Sequence, residues 1–234
     1  MISMTKPLVI AIDGPAGAGK STVARMLARR LGLIHVDSGA TYRAAALKVI
    51  ESGVSLDNEK EIVRVIRAAE IGFIPRQPHA QVLLDGQDVT AKLRTAEVTH
   101  AASVVSRLPA VRKKLVAVQR SLLKRPGVVM EGRDIGTVVF PLDALKIFLK
   151  AHPKERARRR VQQDGEQGRH STLRSTLAEI SSRDQRDAGR RASPLAVADD
   201  AAILDTTRLS AEQVVERILK LARKKKLVGP ELCP

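Results

Sequence analysis

Apolar residues along this chain follow two rhythms. Unbroken runs of strand length, LVIAI at 8–12, LIHVD at 33–37, VVM at 128–130, LKIFL at 145–149 and AAILD at 201–205, predict strands buried on both faces. Between them apolar positions recur at helical spacing. Val23, Leu27 and Leu31 predict a helix that follows a glycine-rich turn and stops at Gly32. Further helices are predicted from about 40 to 51, near 95–106 and over 109–123, the last with Pro109 in its first turn. Ser210 and Gln213 form a capping-box signature for a final helix. Strands alternating with helices predict an α/β fold around a five-stranded parallel sheet.

The rhythm changes between 70 and 93, where IGFIP, QVLLD and QDVT are short strands broken by PRQPH and by the turn dipeptide Asp85-Gly86. These predict a small antiparallel β insert sitting on the main sheet. A second change comes in the helix predicted around 173–190. Leu173, Leu177 and Ile180 form its apolar stripe, then Asp184 takes the next apolar position, and from there the helix is expected to leave the core. Arg183, Arg186, Asp187 and Arg190 nevertheless keep the i, i+3, i+4, i+7 spacing of an apolar face. That face is either solvated charge laced by an i,i+4 ion pair or the lining of an anion-binding cleft.

Composition narrows the class. With 234 residues and 44% apolar content, the chain is long enough to bury a core as one domain with an insertion or as two small ones. The 41 Lys and Arg against 25 acids give a formal charge of +16, so something anionic is bound or tolerated. Aromatics are scarce, with no Trp, a single Tyr (Tyr42) and three Phe, which argues against base-stacking modules for single-stranded nucleic acid. The basic run at 220–226 closes a helix and reads as a solvated helix end. A lone Cys233 excludes an intramolecular disulfide and a structural zinc site, and LVIAI is too short for a signal peptide or a membrane span. A cytoplasmic location is the expectation.

GPAGAGKS at 14–21 satisfies G-x-x-x-x-G-K-[ST] after a buried strand and at a helix start, where that pattern binds a nucleoside triphosphate. Gly14, Pro15, Ala16, Gly17, Ala18 and Gly19 are read as a loop whose amides face a polyphosphate, with Lys20 on the β and γ phosphates. Ser21 offers its hydroxyl to Mg²⁺, and Thr22 follows in the first helical turn. The loop leaves open whether the γ phosphate goes to water or to an acceptor.

Three segments bear on that choice. DSGATYR at 37–43 lies at a strand end, where ligands bind in open α/β sheets; Asp37 and Ser38 either cap the next helix or join a site, and Tyr42 beside Arg43 suits a phosphate with an adjoining ring. In VVMEGRDIGTVVFP, 128–141, a buried strand ends in Glu131, Arg133 and Asp134, which are costly to bury unless they pair with each other or meet a ligand. The ionic helix face at 183–190 is the third. A fourth run, PKERARRR at 153–160, leads into GEQGRHS, and Arg156 and Arg160 share a helix face there, as a lid carrying arginines to a phosphoryl group would.

In this order the segments IDGPAGAGKS, DSGATYR, the insert, VR near 112, GRDIGTVVFP, KIFLKA, the lid arginines and RDQRD resemble the bacterial cytidylate kinases, within the nucleoside monophosphate kinases. The resemblance implies transfer of the γ phosphate of ATP to CMP or dCMP, with Mg²⁺ accompanying ATP. A monomer with no membrane and no stable nucleic-acid partner is the expectation. The resemblance also implies a P-loop core at 1–39, 109–152 and 172–234, a monophosphate-binding region at 40–108 holding the insert, and a short lid at 153–171. Ser38, Tyr42, Arg43, Arg112, Arg133, Asp134, Arg183, Asp187 and Arg190 would hold the acceptor, with Ser103 near the cytosine and Asp187 on the ribose. Lys20, Arg156 and Arg160 would serve the transferring phosphoryl group. Glu131 stands where some relatives carry Asp, which leaves the Mg²⁺ shell unassigned. The competing readings are another small-molecule kinase of the same core and a nucleic-acid-stimulated ATPase.

Overall fold

In a computed structural model covering residues 7–74, 80–123, 127–142, 144–166, 168–190 and 192–228, the run at 8–12 becomes β1 (Leu8–Asp13), buried along its whole length. PRQPH, Cys233 and most of the LVGPELCP tail lie outside the described residues. β1 is central in a five-stranded sheet with β2 (Ile34–Asp37), β6 (Gly127–Gly132), β7 (Leu145–Lys150) and β8 (Ala202–Asp205), in the order β2-β6-β1-β7-β8 and parallel throughout. Alternate side chains of β1 enter different cores. Leu8, Ile10 and Ile12 pack with α1 (Lys20–Leu31) and α8 (Ala211–Lys224), while Val9 and Ala11 pack with Val116 of α5 (Pro109–Ser121) and Ile135. A strand covered on both faces has no polar face to show, hence the unbroken LVIAI.

The predicted insert is a three-stranded antiparallel sheet of β3 (Ile71–Ile74), β4 (Gln81–Leu84) and β5 (Gln87–Asp88), with Asp85-Gly86 at its turn in positive φ. It shares an apolar cluster with α2 (Ser38–Glu51), α3 (Glu59–Ala68), α4 (Ala96–Val105) and α5. The α3 helix has no counterpart in the elements predicted above. Its signals were present: Asn58 caps the Glu61 amide at 3.2 Å, and Ile62, Val65 and Ile66 are buried at helical spacing.

The remaining helices are α6 (Pro153–Glu166) and α7 (Leu173–Ala188), which pack on each other. Here the expectation needs correcting twice. Leu173, the proposed start of the apolar stripe, is 49% exposed, because it opens the helix just after its cap at Thr172; Ile180 is buried. Past Asp184 one face of the helix also stays inside the protein: Asp187 is only 2% exposed, while Gln185, Arg186 and Ala188 are exposed. What it enters there is an ionic interior instead of an apolar one. No described helix is long and apolar enough to cross a membrane.

Candidate active site

The C-terminal ends of β1, β2 and β6 lie side by side; β1 runs into the phosphate loop, β2 runs directly into α2, and β6 runs through Arg133 and Asp134 into the turn Ile135–Val139. At the end of β1 the phosphate loop bends back through Gly14, whose φ of 147° and contact with β7 exclude any side chain, since a Cβ would lie 2.1 Å from the Leu149 carbonyl oxygen. Gly17 is also held close, against the first turn of α6, where a Cβ would come 2.8 Å from the Arg156 carbonyl oxygen. Gly19 takes a left-handed conformation and opens α1, with no side chain capping that helix end. The free amides and the positive end of the helix dipole are therefore available to an anion.

Lys20 folds over this loop and donates to the Pro15 carbonyl at 2.8 Å. Burial, then the neighbouring guanidiniums of Arg133 and Arg183, lower its ammonium to about 7. Ser21 donates to Glu131 Oε2 at 2.8 Å across the sheet, and the other oxygen of Glu131 lies 3.3 Å from His35 Nε2. Thr22 is exposed in the same turn. From α6, Arg156 reaches back under the loop and donates to the carbonyls of Ala16 at 3.0 Å and Ala151 at 3.1 Å, and to Asp184 at 2.5 Å. Ala18 is fully buried, and its carbonyl accepts from Thr206 at 3.1 Å. Arg160, one turn along from Arg156, sits 3.3 Å from Asp164, which also accepts from Arg169 and Ser171.

The ends of β2 and β6 build a second, charged surface. Asp37 caps α2 through the Gly39 amide at 2.9 Å and holds Arg43 at 2.5 Å, so the strand end serves cap and site together. Burial works against ionising Asp37, and Arg43 outweighs it, leaving the carboxyl below its ordinary range. Ser38 is buried beside Gly132, where a Cβ would fall 2.4 Å from the Ser38 oxygen. Arg133 donates to Asp187 at 2.7 Å, and Arg190 pairs with the other oxygen of the same carboxylate. Arg112 pairs with Asp134, donates to the Ser106 carbonyl at 3.1 Å, and lies 5.1 Å above the Tyr42 ring. Burial raises Tyr42, whose hydroxyl finds no hydrogen-bond partner among the described residues; nor do Nε of Arg43 and Nε of Arg112.

Five guanidiniums, on Arg43, Arg112, Arg133, Arg183 and Arg190, thus meet three carboxylates, on Asp37, Asp134 and Asp187. Arg183 is the member without an ion pair or hydrogen bond among the described residues. Burial, then Arg133, pull it down to about 10. Asp187 titrates below its ordinary range because Arg133 and Arg190 overcome its burial. The i,i+4 pair between Arg183 and Asp187 does not form, because Arg133 and Arg190 occupy both oxygens. Arg186 points elsewhere, to Ser103 of α4 at 2.9 Å. Ser103 therefore stands at the rim beside α7, and the Ser106 oxygen links to its carbonyl at 3.1 Å.

The sequence shows the carboxylates Asp37, Asp134 and Asp187 but not which arginine each one engages. Asp37 for Arg43 and Asp184 for Arg156 are set by tertiary placement, and no spacing rule connects them. Asp13 was passed over, although a lone acid ending an apolar strand was a visible signal. Its carboxylate accepts the Ile135 amide at 2.9 Å and the Gly136 amide at 2.7 Å. Among the described residues there is no group of three or more His, Cys, Asp or Glu placed to hold a metal ion.

The sequence matches the cytidylate kinase family over residues 10–224. It is 47% identical over 216 residues to a cytidylate kinase of Caldicellulosiruptor bescii, covering 92% of this chain and 96% of that one. It is also 47% identical over 226 residues to a cytidylate kinase of Azotobacter vinelandii, with 96% and 99% covered. A cytidylate kinase of Geobacillus kaustophilus is 46% identical over 223 residues, with 95% and 99% covered. A phosphate loop facing an arginine-rich cleft, on a chain similar to these relatives from end to end, has one family to which it can be assigned: this chain belongs to the cytidylate kinase family.

Proposed function

We propose that the protein transfers the γ-phosphoryl group of ATP to the phosphate of CMP or dCMP. The observation that carries this reading is electrostatic. Arg133 and Arg183 of the charged cleft lie close enough to Lys20 of the phosphate loop to depress its charge, and the strands that carry the two surfaces are neighbours, so loop and cleft form one cationic site suited to a polyanionic pair of substrates. ATP enters from the loop side, where backbone amides and Lys20 hold the β and γ phosphates. CMP enters from the cleft, its phosphate met by Arg43, Arg133 and Arg183, its sugar by Asp187, and its base by the group of Ser103, Arg112 and Asp134.

An acceptor phosphate oxygen forms the new bond to the γ phosphorus as the bond to the bridging oxygen breaks, and ADP leaves with that electron pair. Such transfers need little covalent help, and positioning with charge stabilisation supplies most of the catalysis. Lys20 remains on the phosphoryl oxygens, and Arg156 and Arg160 approach from residues 153–171, which serve as a lid. Arg156 already touches the loop through Ala16, and Arg160 is released from Asp164 on closing.

Mg²⁺ fits the residues at hand. One hydroxyl (Ser21) and one carboxylate (Glu131) are adjacent at the loop, matching an ion that keeps several waters and takes one or two protein oxygens besides the phosphates. When bound, Mg²⁺ neutralises charge on the β and γ phosphates. The role of Ser21 is to release its hydrogen bond to Glu131 and turn its hydroxyl to the ion, with the Glu131 carboxylate beside it.

The test is ADP formation from ATP and Mg²⁺ with CMP, dCMP, UMP, AMP or no acceptor. Turnover that requires CMP or dCMP, with UMP slower and AMP inactive, is the expected result. Acceptor-independent hydrolysis stimulated by nucleic acid, with steep salt dependence, overturns it.

A further inference from the structure

We propose that Asp13 couples the ATP loop to the acceptor loop, so that filling one site tightens the other. Asp13 ends β1, and the next residue, Gly14, begins the phosphate loop. Its side chain is 5% exposed and spends both oxygens on consecutive amides, Ile135 at 2.9 Å and Gly136 at 2.7 Å. Those amides open the helical turn Ile135–Val139, directly after Arg133 and Asp134.

A turn of this kind takes its cap from the residue just before it. Asp134 makes no capping bond, because its carboxylate belongs to Arg112. The cap is supplied instead by a residue 122 positions earlier, at the base of the other loop. Gly136 fits this contact closely: a Cβ there would lie 3.1 Å from Lys146 Cγ and 3.4 Å from Asp13 Oδ2. Stability alone does not account for the arrangement. Burial, against the pull of the two amides, raises the Asp13 carboxyl to about 6, so at neutral pH the ionised form is held at a cost to the fold.

Asp13 is thus a positioning residue. A small shift of Gly14 as the loop wraps a triphosphate is passed through two short bonds to Arg133, which holds Asp187, and to Asp134, which holds Arg112. By reciprocity CMP acts on the ATP loop to the same degree. The inference rests on the kinase reading above.

The test is calorimetric titration of CMP with and without a non-hydrolysable ATP analogue and Mg²⁺, together with steady-state turnover. In the intact protein the analogue is expected to tighten CMP roughly 5- to 150-fold, the usual span of such coupling. Asp13→Asn keeps the size and one acceptor. It should bind each ligand alone within about threefold of the intact protein while the mutual enhancement drops below about twofold. Gly136→Ala disturbs the same contact from the other side and should do likewise.

Undiminished coupling in either folded variant overturns the proposal, as does its absence in the intact protein. A third measurement needs no variant: the analogue alone should slow hydrogen exchange of the Ile135 and Gly136 amides, and unchanged exchange sinks the idea. If the intact protein does not phosphorylate CMP, the kinase reading itself has failed. If it does and the variants still couple, only this inference has.

Discussion

In the proposed reading both surfaces of the site would hold phosphate, and they are built differently. The phosphate loop uses consecutive residues and mostly backbone: three glycines, the amides they free, and one lysine resting on a carbonyl of its own loop. The acceptor cleft uses side chains from β2, α2, α5, the turn after β6, α7 and the residues just past it, each arginine but Arg183 already engaged by a carboxylate or carbonyl. A surface made of amides can wait for its ligand, since water or a loop carbonyl satisfies it. Buried guanidiniums cannot wait alone, so the cleft carries its own counter-charges. Binding groups on the acceptor side therefore also hold the fold, whereas on the ATP side that role falls mainly to Arg156.

Asp187→Ala should break the acceptor side most severely. It strands Arg133 and Arg190 in a buried setting, a loss of about 3–5 kcal/mol when one partner of a buried pair is removed. A thermal melt checks this, and an unshifted midpoint contradicts the structural role. Lys20→Met should show the opposite division. The rate constant kcat should fall about 10²–10³-fold, the scale of losing one preorganised charge at the reacting group. The melting temperature should hold or rise, because a buried ammonium already lowered to about 7 is gone.

This difference in construction also decides what could be read without the structure. A contiguous loop whose glycines each answer a steric demand is visible in the sequence, as are strands buried on both faces and the insert with its Asp85-Gly86 turn. The arginines of the cleft were legible as residues, through the charged helix face and through GRD after an apolar strand. Their pairing was not, because Asp187 has Arg183 and Arg190 close to it in sequence, pairs with only the second of them, and takes Arg133 from 54 positions away. The α3 helix belongs to another category. Asn58, Glu61 and the Ile62, Val65, Ile66 spacing are sufficient signals for it in the sequence.

Asp13 joins the two surfaces, and pH separates its contribution from theirs. A carboxyl raised from 3.8 to about 6 favours the fold fully below pH 3.8, and that advantage is lost as pH rises through 6. The paired carboxylates Asp37, Asp164 and Asp187 run the other way, losing stability as pH falls. The difference between intact protein and Asp13→Asn isolates the first effect. Relative to the variant, the intact protein should lose on the order of 3 kcal/mol between pH 4 and 7, from about two pKa units at 1.4 kcal/mol each. Denaturant melts over that range decide it. Asp134 and Lys20 face Asp13 and act in opposite senses, so the window belongs to the group of three.

Arg183 and Arg186 test the comparison most finely, being one turn apart on the same helix. Arg183 is largely buried, repelled by Arg133 and without a partner among the described residues. Its truncation to Ala should leave the melting temperature unchanged or higher while raising KM for CMP about 10- to 100-fold, the worth of one or two charge-assisted hydrogen bonds to phosphate. Arg186 is exposed and donates to Ser103 on the rim. Exposed contacts of this kind are worth only a few tenths of a kcal/mol, so Arg186→Ala should change KM for CMP by less than about threefold. Equal effects from the two substitutions would mean that the cleft extends to the rim and that burial does not mark which arginines bind. A large effect confined to Arg183 would mean that the unpaired cation is the one reserved for substrate.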